Sequence, residues 1–335
     1  MVRVAINGFG RIGRMVLKAG ITNPFREMGE SEIEFVAIND LTDTKTLTHL
    51  FKYDSVHGAF KGNILHGHNE IIINNKHIKV FSEKDPEKLP WGDLRIDVVI
   101  ESTGLFRKKE DAKKHLRAGA KKVLITAPGK GVDFSFVKGV NEHLYNREIH
   151  HIVDNASCTT NCLAPIVKVL NDNFGIEKGF MTTVHAYTAD QKLIDAPHKD
   201  LRRGRSAAIN IVPTTTGATI AVERIIPELK GKLGGMAMRV PVANGSITDF
   251  VAILNKEVSV EEINSLFRNV SEQHLKGVLE YSKEPLVSTD IIGNSNSCIF
   301  DSLSTQVNGL LIKVIGWYDN EWGYSSRIIE ILKIL

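Results

Sequence analysis

The sequence is poor in cysteine, in long apolar runs and in net charge, and each shortage excludes a class of protein. Three cysteines among 335 residues cannot form a disulfide framework, and their odd number favours a reducing compartment. No apolar run reaches the roughly 18 residues that a membrane-spanning helix needs. The net charge of +3 is too small to indicate nucleic acid as the main partner.

We expect no targeting segment at the beginning of the chain. The stretch MVRVAINGFG enters a strand pattern directly, without the long apolar region or the small-residue cleavage site of a secretory signal. We therefore expect a cytoplasmic protein that has no membrane partner.

The chain has an ordinary globular composition and changes its pattern near the middle. Hydrophobic residues make up 42% and charged residues 24% of the sequence, and the length suggests two domains. In the first part, short β-branched runs alternate with helical patterns, which predicts a doubly wound α/β domain with a parallel sheet. The predicted strands are 2–6, 34–38, 71–74, 97–101 and 122–126, and the predicted helices are 11–20, 44–54 and 109–119.

After residue 158 the spacing predicts a second, α+β architecture. We expect a long helix at 159–173 and a strand at 179–188, followed by a polar, basic loop that runs to residue 205. Further strand-like runs favour a mixed or antiparallel sheet with helices on one face. Those runs are 206–212, 237–243, 247–254 and 310–321, and a C-terminal helix is expected within 322–335.

A glycine-rich turn follows the first strand. Gly8 suits the tight turn, Gly10 lets backbone approach a pyrophosphate, and Gly13 lets helix and strand pack closely. The pyrophosphate would lie on free N–H groups at the helix start. Asp40, at the end of the second strand, can accept hydrogen bonds from the adenosine ribose, although its spacing from Gly13 is longer than usual. The alternative is a tight turn without a ligand, with Asp40 as an ordinary strand-end residue.

Two cysteines stand four residues apart where the long helix begins. Cys158 lies at the expected helix start with Ser157 as a candidate N-cap, and the helix N-terminus lowers the pKa of a thiol there. Cys162, one turn later, is expected to be an inert core thiol. A zinc pair lacks further ligands at suitable spacing, so no metal is expected, and a disulfide within one helical turn would be strained. A disulfide therefore remains an option only under oxidation.

A working thiol needs a base and groups that bind anions. His185 follows an apolar strand and is flanked by hydroxyl groups, whereas Arg203 and Arg239 can bind an anion through charge-assisted hydrogen bonds. Hydroxyl and backbone donors are also available at Thr188 and in the run 214–217. Each of these features also has a non-catalytic interpretation. His185 can be an ordinary core histidine, Arg203 can belong to a solvated basic loop, and the run 214–217 can be a polar turn.

Six motifs occur in order along nearly the whole chain, and together they resemble one family. They are INGFGRIGR, ASCTTNCLAP, HAYTADQ, DAPHKDLRR, PTTTGA and WYDNEWGYS. The sequence is similar to the phosphorylating glyceraldehyde-3-phosphate dehydrogenases. The resemblance implies a Rossmann domain for NAD at 1–157, completed by the C-terminal helix 321–335. It also implies a catalytic domain at 158–320 and a homotetramer.

The resemblance assigns roles to individual residues. Cys158 matches the nucleophile and His185 its base. The matched cofactor residues are Gly8, Gly10, Arg11, Ile12, Gly13, Asp40, Lys84, Thr126 and Asn320. The residues that match the inorganic phosphate site are Ser157, Thr159, Thr216 and Gly217, and those that match the substrate phosphate site are Thr188, Asp190, Arg203 and Arg239.

Three features depart from the family pattern. Lys84 stands where arginine is common, which puts one cofactor contact in doubt. Ala243 replaces a frequent proline, and the segment 21–32 resembles an insertion. Asp40 indicates NAD rather than NADP, because a 2′-phosphate would face its carboxylate. Leu41 leaves no small or basic residue that would make room for such a phosphate, and Pro197 resembles the NAD-using members of the family.

The implied reaction is oxidation of glyceraldehyde 3-phosphate with NAD and inorganic phosphate to 1,3-bisphosphoglycerate, within glycolysis and gluconeogenesis. It proceeds through a thiohemiacetal and a thioester on Cys158. An erythrose-4-phosphate dehydrogenase is the alternative within the same chemistry. A non-enzymatic NAD-binding or RNA-binding protein is the alternative from another class, and the basic loop 198–205 is its only support.

Overall fold

The computed structural model describes residues 1–22 and 33–335, so that ten residues of the expected insertion at 21–32 lie outside the described residues. The chain divides into two compact units. The first unit comprises Met1–Phe136, His143–Ala156 and Ser325–Leu335, and the second comprises Val137–Glu142 and Ser157–Tyr324. Among the described helices, none is long and apolar enough to cross a membrane.

The first unit is built on a sheet that is parallel except at one edge. Its strands are β1 (Val2–Asn7), β2 (Ile33–Asn39), β3 (Ile64–His66), β4 (Glu70–Ile73), β5 (Lys76–Phe81), β6 (Val98–Glu101), β7 (Lys122–Ile125), β8 (Phe134–Ser135) and β9 (Ile152–Asp154). They lie in the order β3-β4-β5-β2-β1-β6-β7-β9-β8. The pairs β3–β4 and β4–β5 are antiparallel, because a hairpin extends the edge beyond β2. The predicted doubly wound sheet is therefore confirmed.

The helices of this unit begin close to the predicted positions. They are α1 (Arg11–Thr22), α2 (Thr44–Lys52) and α3 (Lys109–Arg117), and residues from Ser325 onward belong to the C-terminal helix α7 (Trp322–Ile334). Asp43 caps α2, because its carboxylate accepts a hydrogen bond from the Thr46 N–H at 2.9 Å. Gly20 of α1 lies tightly between Phe35 and Ile329, which packs α1 against both the sheet and α7.

The second unit holds a mixed sheet, as predicted. Its strands are β10 (Ile176–Ala186), β11 (Val212–Thr214), β12 (Leu233–Val240), β13 (Ser246–Leu254), β14 (Leu279–Ser282), β15 (Cys298–Asp301), β16 (Gln306–Asn308) and β17 (Leu311–Tyr318). The main path runs β11-β12-β10-β13-β17-β15-β14, and β16 pairs with β17. The helices are α4 (Cys158–Phe174), α5 (Ala218–Ile225) and α6 (Val260–Glu272).

The alternation of side chains along the central strands decides which residues α4 covers. Along β13 and β17, buried and partly exposed residues alternate strictly over most of each strand. In β10 the same alternation buries Thr183 and His185, and in β17 it buries Gly316 and Tyr318. Helix α4 packs against these strands. His185 and Tyr318 consequently lie on the covered face of the sheet.

One predicted strand is wrong. The run 206–212 is rich in apolar residues, yet it forms turns, and only Val212 enters a strand. Ser206 explains the difference, because its backbone N–H donates to Asp195 at 2.9 Å and its hydroxyl donates to the Leu193 carbonyl at 2.6 Å. The Asn210 amide then donates back to the Ser206 carbonyl at 2.9 Å. These local bonds compete with pairing to a neighbouring strand.

Candidate active site

Cys158 is the first residue of α4, as the sequence predicts. The Ser157 hydroxyl accepts a hydrogen bond from the Thr160 N–H at 3.0 Å and so caps the helix. Backbone N–H groups of Cys158 and Thr159 are directed at the Cys158 sulfur. The sulfur therefore lies where unpaired helix N–H groups favour negative charge.

The turn before the helix is held by a buried carboxylate. Ala156 adopts a left-handed conformation with φ 47°, which is unfavourable for a residue with a Cβ. Asp154 accepts a hydrogen bond from the Ala156 N–H at 2.7 Å and another from the Gly129 N–H at 2.8 Å. These bonds offset the backbone strain of the turn.

The predicted base lies beside the predicted nucleophile. His185 Nε2 is 3.5 Å from Cys158 Sγ, and His185 is only 4% exposed. Burial, and then the charge of Arg239, lower the pKa of His185 to about 3. The imidazole is therefore neutral at neutral pH, which leaves one of its nitrogens able to accept a proton.

Two groups compete for the other nitrogen of His185. Its Nδ1 lies 2.6 Å from the Ala186 carbonyl oxygen and 2.7 Å from Arg239 Nη1. A proton on Nδ1 donates to the carbonyl and leaves Nε2 as an acceptor that faces the sulfur. A guanidinium can only donate, so a hydrogen bond from Arg239 requires the opposite tautomer, with the proton on Nε2. Only the first tautomer can act as a base toward Cys158.

The expected lowering of the thiol pKa is wrong in direction. Burial raises the pKa of Cys158, and it outweighs the Arg239 charge and the hydrogen bonds from Thr159 and from the backbone. The sequence places the cysteine correctly at the helix N-terminus but carries no signal of how deeply the sulfur is enclosed. Because the cysteine pKa is raised and the histidine pKa is lowered, the resting pair is a neutral thiol and a neutral imidazole.

Arg239 is a buried cation whose hydrogen-bond partners are neutral. Its Nη1 approaches His185 and donates to the Ala186 carbonyl at 3.0 Å, while its Nε is buried and has no hydrogen-bond partner among the described residues. Burial lowers the pKa of Arg239, and charge repulsion from the neighbouring Arg203 lowers it further. Two neighbouring guanidinium groups, one with an unpaired N–H, form a site suited to an anion.

Arg203 is oriented by a network of its own. It donates to Asp190 at 2.7 Å, to the Thr214 hydroxyl at 3.0 Å and to the Thr215 carbonyl at 3.2 Å. His198 lies 3.4 Å from the second carboxylate oxygen of Asp190. The pairing with Arg203 and His198 outweighs burial and lowers the pKa of Asp190. Asp190 therefore binds Arg203 directly, and its negative charge makes it unsuitable as a phosphate ligand.

The remaining predicted phosphate residues of the second unit lie at helix starts and in loops. The Thr159 hydroxyl forms a hydrogen bond with the Tyr318 hydroxyl at 2.9 Å, and both this hydroxyl and the Thr159 backbone N–H are directed toward the Cys158 sulfur. The Thr216 hydroxyl accepts a hydrogen bond from Ala218, and Gly217 is the N-cap of α5, with open space where a Cβ would project. Thr188 is half-buried in the loop after β10.

Sequence reasoning did not single out Tyr318 or His198. The Tyr318 hydroxyl bonds both Thr159 and Thr183, at 2.9 and 2.8 Å, and its ring meets His185 edge-on. Burial raises the pKa of Tyr318, so the phenol stays neutral. The sequence does carry a signal for both residues, because Tyr318 lies in the motif WYDNEWGYS and His198 lies in the motif DAPHKDLRR.

The predicted cofactor residues of the first unit surround the turn after β1. Gly8 has φ 91°, and a Cβ there would lie 2.7 Å from the Thr103 nitrogen. A Cβ on Gly13 would lie 2.3 Å from the Gly8 carbonyl oxygen, whereas one on Gly10 would meet open space. The tight turn and the close packing of helix and strand are thus both present. Open space at Gly10 agrees with a ligand that approaches the backbone.

Asp40 lies against this turn. Its carboxylate accepts hydrogen bonds from the Phe9 N–H at 2.8 Å and from the Thr42 N–H at 2.9 Å. Arg11 and Ile12 begin α1, and Arg11 forms an ion pair with buried Asp54 at 3.0 Å. The Thr126 hydroxyl donates to the Glu101 carbonyl at 3.2 Å, and Lys84 is exposed. Asn320 belongs to the second unit, where it accepts from Ser246 at 2.8 Å.

The three cysteines are not joined to one another by a disulfide. Cys158, Cys162 and Cys298 are free thiols, and Cys162 is completely buried. Within residues 1–22 and 33–335, no group of three or more histidine, cysteine, aspartate or glutamate side chains could hold a metal ion.

Comparison with known proteins gives the chain its relatives. Residues 2–109 match the model of the glyceraldehyde 3-phosphate dehydrogenase NAD-binding domain, and residues 157–320 match that of the C-terminal domain. The glyceraldehyde-3-phosphate dehydrogenase of Geobacillus stearothermophilus is 56% identical, over 98% of this chain and 97% of the relative. Glyceraldehyde-3-phosphate dehydrogenase 1 of Bacillus subtilis strain 168 is 55% identical over the same shares.

A cyanobacterial relative is similar to the same degree. Glyceraldehyde-3-phosphate dehydrogenase 2 of Trichormus variabilis is 56% identical, over 100% of this chain and 98% of the relative. Both domain models and full-length identity above half thus agree with the geometry of the thiol, the imidazole and the glycine turn. The chain belongs to the glyceraldehyde-3-phosphate dehydrogenase family.

Proposed function

We propose that the chain catalyses the NAD-dependent oxidative phosphorylation of D-glyceraldehyde 3-phosphate to 1,3-bisphosphoglycerate, a step of glycolysis and gluconeogenesis. The strongest support is the cluster in the second unit, where the Cys158 sulfur lies 3.5 Å from His185 and within the field of Arg239. A thiol, a neutral base and a buried positive charge are what aldehyde oxidation through a thioester requires.

The first half of the reaction makes a thioester. The Cys158 sulfur attacks the aldehyde carbon and an S–C bond forms. The thiol proton passes through His185 to the carbonyl oxygen, which becomes the hydroxyl of a thiohemiacetal. His185 Nε2 takes the hydroxyl proton while the C–H bond breaks. NAD, when bound, supplies the acceptor for the hydride. In the second half, a phosphate oxygen attacks the thioester carbon, the C–S bond breaks, and Cys158 leaves as the thiolate, which takes back its proton from His185.

Phosphate binding strengthens the base. The Arg239 charge contributes to the low pKa of His185, so the free imidazole is a weak proton acceptor. A phosphate group held by Arg239 offsets that charge and thereby raises the pKa of His185. The substrate therefore activates the group that removes its proton, and the thiol attacks when the anion is in place.

The two phosphate positions use the residues around this cluster. Arg203 and Arg239 provide charge, and Asp190 orients Arg203 rather than touching the anion. Backbone N–H groups at helix starts and nearby hydroxyls provide the remaining donors. We assign the substrate phosphate to Thr188, Arg203 and Arg239, with Asp190 holding Arg203 in place, and the inorganic phosphate to Ser157, Thr159, Thr216 and Gly217.

The first unit is proposed to bind NAD, as residues 1–157 together with the C-terminal helix 321–335, leaving 158–320 as the catalytic domain. Backbone at Gly8, Gly10, Arg11, Ile12 and Gly13 faces the pyrophosphate, and Asp40 accepts from the adenosine ribose. Lys84 and Thr126 add contacts from neighbouring loops, and Asn320 is proposed to reach the nicotinamide side.

A homotetramer in the cytoplasm is the assembly we propose. The outer face of the second sheet carries Phe180, which is 66% exposed, beside Val251 on the paired strand. Ile253 pairs with Leu311, which is 44% exposed. Exposed apolar side chains grouped on one face of a sheet in this way are typical of a subunit interface. Sedimentation of the purified protein tests this: a single species of one subunit mass would contradict it.

An absorbance assay tests the reaction. NADH formation is followed with glyceraldehyde 3-phosphate plus inorganic phosphate, with each reactant left out in turn, and with erythrose 4-phosphate in place of the substrate. We expect steady turnover only when both reactants are present, and a higher kcat/KM for glyceraldehyde 3-phosphate. A preference for erythrose 4-phosphate favours the alternative enzyme. No NADH with either aldehyde favours a non-enzymatic protein, whose RNA binding is then measured directly.

A further inference from the structure

Five buried polar side chains of the first unit form one continuous row of hydrogen bonds, here called the polar chain. Its members are Trp91, His115, Glu101, Asn7 and Asn39. Trp91 Nε1 donates to His115 Nδ1 at 3.0 Å, and His115 Nε2 lies 3.0 Å from Glu101 Oε2. The Asn7 amide donates to the same Glu101 oxygen at 2.6 Å, and the Asn39 amide donates to Asn7 at 2.7 Å. None of the five is more than 5% exposed.

The direction of every bond in the polar chain is fixed by its first member. An indole N–H can only donate, so His115 Nδ1 is an acceptor and its proton lies on Nε2. That proton is donated to Glu101, which must therefore accept. Asn7 donates its amide to Glu101 and accepts from Asn39 through its oxygen. A single arrangement of protons thus serves the four bonds of the row, in which the Asn7 amide nitrogen and His115 Nε2 lie 3.4 Å apart and both donate to the same Glu101 oxygen.

Glu101 is the point where the most donors converge. Besides His115 and Asn7, its second oxygen accepts from the Thr103 N–H at 2.9 Å and from the Thr103 hydroxyl. An ionised carboxylate has acceptor sites for these four donors and no proton of its own. A glutamine side chain has the same shape, but its NH2 group can only donate hydrogen bonds and would face some of these four donors.

The polar chain runs along the carboxyl ends of three adjacent strands. Asn39, Asn7 and Glu101 are the last residues of β2, β1 and β6, and Asn7 is in register with both of the others. The residues that follow them directly are Asp40, Gly8 and Ser102. The turn at Thr103 touches Gly8 so closely that a Cβ on Gly8 would collide with it.

A fourth loop is attached at the far end. Asn39 accepts from the Glu83 N–H at 2.8 Å and donates to the Glu83 carbonyl at 2.9 Å. Glu83 directly precedes Lys84. The polar chain therefore connects the backbone of the loops that carry Gly8, Asp40, Thr103 and Lys84.

We propose that Glu101 is a positioning residue for the dinucleotide, acting through the polar chain to hold these four loops in their binding conformation before the cofactor arrives. The inference rests on the proposed function, since it assumes that the loops bind NAD. Loops fixed in advance lose less conformational entropy on binding, so the ligand binds more tightly. Glu101 itself lies beneath the loops and touches the cofactor only through them.

The test is the Kd for NAD of Glu101→Gln, measured by direct titration without any aldehyde. We expect the Kd to rise about ten- to a hundredfold, because donors from His115, Asn7 or Thr103 lose an acceptor. At saturating NAD, kcat with glyceraldehyde 3-phosphate stays within about threefold, since catalysis uses the bound state and the effect falls on KM for NAD. The double variant Asn7→Asp, Glu101→Gln recovers part of the affinity, because the side-chain amide introduced at position 101 can donate to a carboxylate at position 7.

Asp133→Asn is the matched control. The Asp133 carboxylate also accepts two backbone N–H bonds in the first unit, from His151 at 3.0 Å and Ile152 at 2.8 Å, together with a bond from Lys109. Those residues lie at the start of β9, away from the four loops. The control should lower Tm without changing the Kd for NAD.

The outcomes separate the two proposals. If wild-type protein binds NAD and Glu101→Gln binds it within twofold, the positioning role is overturned while the proposed function stands. If wild-type protein binds no NAD, the proposed function falls and this inference falls with it. Should Glu101→Gln fail to fold, Asn39→Ala interrupts the polar chain at its other end. An unchanged Kd in that variant also overturns the positioning role.

Discussion

The polar chain of the first unit and the reacting cluster of the second unit bury polar groups in opposite ways. In the polar chain of the first unit, each donor from Trp91 to Asn39 meets an acceptor. In the second unit, Arg239 keeps a buried N–H without a partner among the described residues, and two groups compete for His185 Nδ1. A satisfied network keeps a fixed shape, whereas an unsatisfied one is suited to change when a ligand arrives. A satisfied network suits a framework that binds a cofactor, whereas an unsatisfied network suits a cluster of residues that takes part in a reaction.

The largest effect is expected from removing the nucleophile of the second unit. Cys158→Ser should reduce NADH formation by about a thousandfold or more, because a serine hydroxyl remains protonated and is a poor nucleophile at neutral pH. The Kd for NAD, a property of the first unit, should stay within about twofold. Steady-state kinetics check the loss of NADH formation, and titration with NAD checks that the Kd is unchanged. If NADH formation and affinity for NAD fell to the same extent, Cys158 would support the structure of the protein rather than the reaction.

Removing the buried charge should produce the next largest effect. Arg239→Leu should raise KM for aldehyde and for phosphate about ten- to a hundredfold, as the loss of a charge-assisted contact does. If the Michaelis constants for both reactants stayed at the wild-type values, Arg239 would not be part of the anion site.

The same variant should change how Cys158 titrates. Arg239 lowers the pKa of the thiol against the effect of burial, so its removal raises that pKa further. The pH profile of Cys158 alkylation by iodoacetamide should then shift to higher pH. Arg203→Leu is the matched control, because Arg203 acts on Arg239 and His185, and its removal should shift the profile less. A profile for Arg239→Leu that shifts to lower pH would contradict this electrostatic account.

Cofactor choice should respond more moderately and depends mainly on Asp40 of the first unit, with Pro197 of the second unit as an additional determinant. Asp40→Ala combined with Pro197→Ser should move the ratio of kcat/KM for NAD and NADP toward NADP, because a 2′-phosphate no longer meets a carboxylate. Asp40→Asn separates charge from structure, since its amide oxygen can still accept from the Phe9 N–H. Equal kcat/KM for NAD and NADP in the wild-type protein would show that Asp40 does not face the ribose.

The smallest effect on activity is expected at the second cysteine. Cys162 is fully buried and lies 3.6 Å from the Gly316 carbonyl. Cys162→Ser should cost about 1–3 kcal/mol of unfolding free energy, because a hydroxyl replaces a weakly polar thiol in an apolar site. Activity per folded molecule should remain near that of the wild type. A folded Cys162→Ser protein without activity would reverse the assignment of the two cysteines.

Regular patterns in the sequence predict most of the framework. The glycine turn, the start of α1 and the helix that begins at Cys158 follow from spacing and capping signals, and they were predicted correctly. The turns at 206–212 were not, because hydrogen bonds from Ser206 and Asn210 outweigh the strand preference of that run. The short hairpin at the edge of the first sheet was only partly recognised, because each of its strands is too brief to show a clear period.

The electrostatics of the site depend on burial, which a sequence does not display. The helix start at Cys158 predicts a lowered thiol pKa, yet enclosure of the sulfur reverses the direction. The sequence also does not reveal residues that act through their contacts with other residues. Glu101 and His115 lie 14 positions apart and meet only because β6 and α3 fold together. Tyr318 reaches Thr159 across 159 positions for the same reason.

The central claim is that Cys158 carries the oxidised substrate as a thioester until phosphate releases it. Mass spectrometry of the protein after incubation with glyceraldehyde 3-phosphate and NAD, without phosphate, tests this most directly. The account predicts an acyl adduct on the peptide that contains Cys158, located on Cys158 and not on Cys162, which disappears when phosphate is added. An adduct on Cys162, or NADH formed in the first turnover with no adduct on any cysteine, would contradict it.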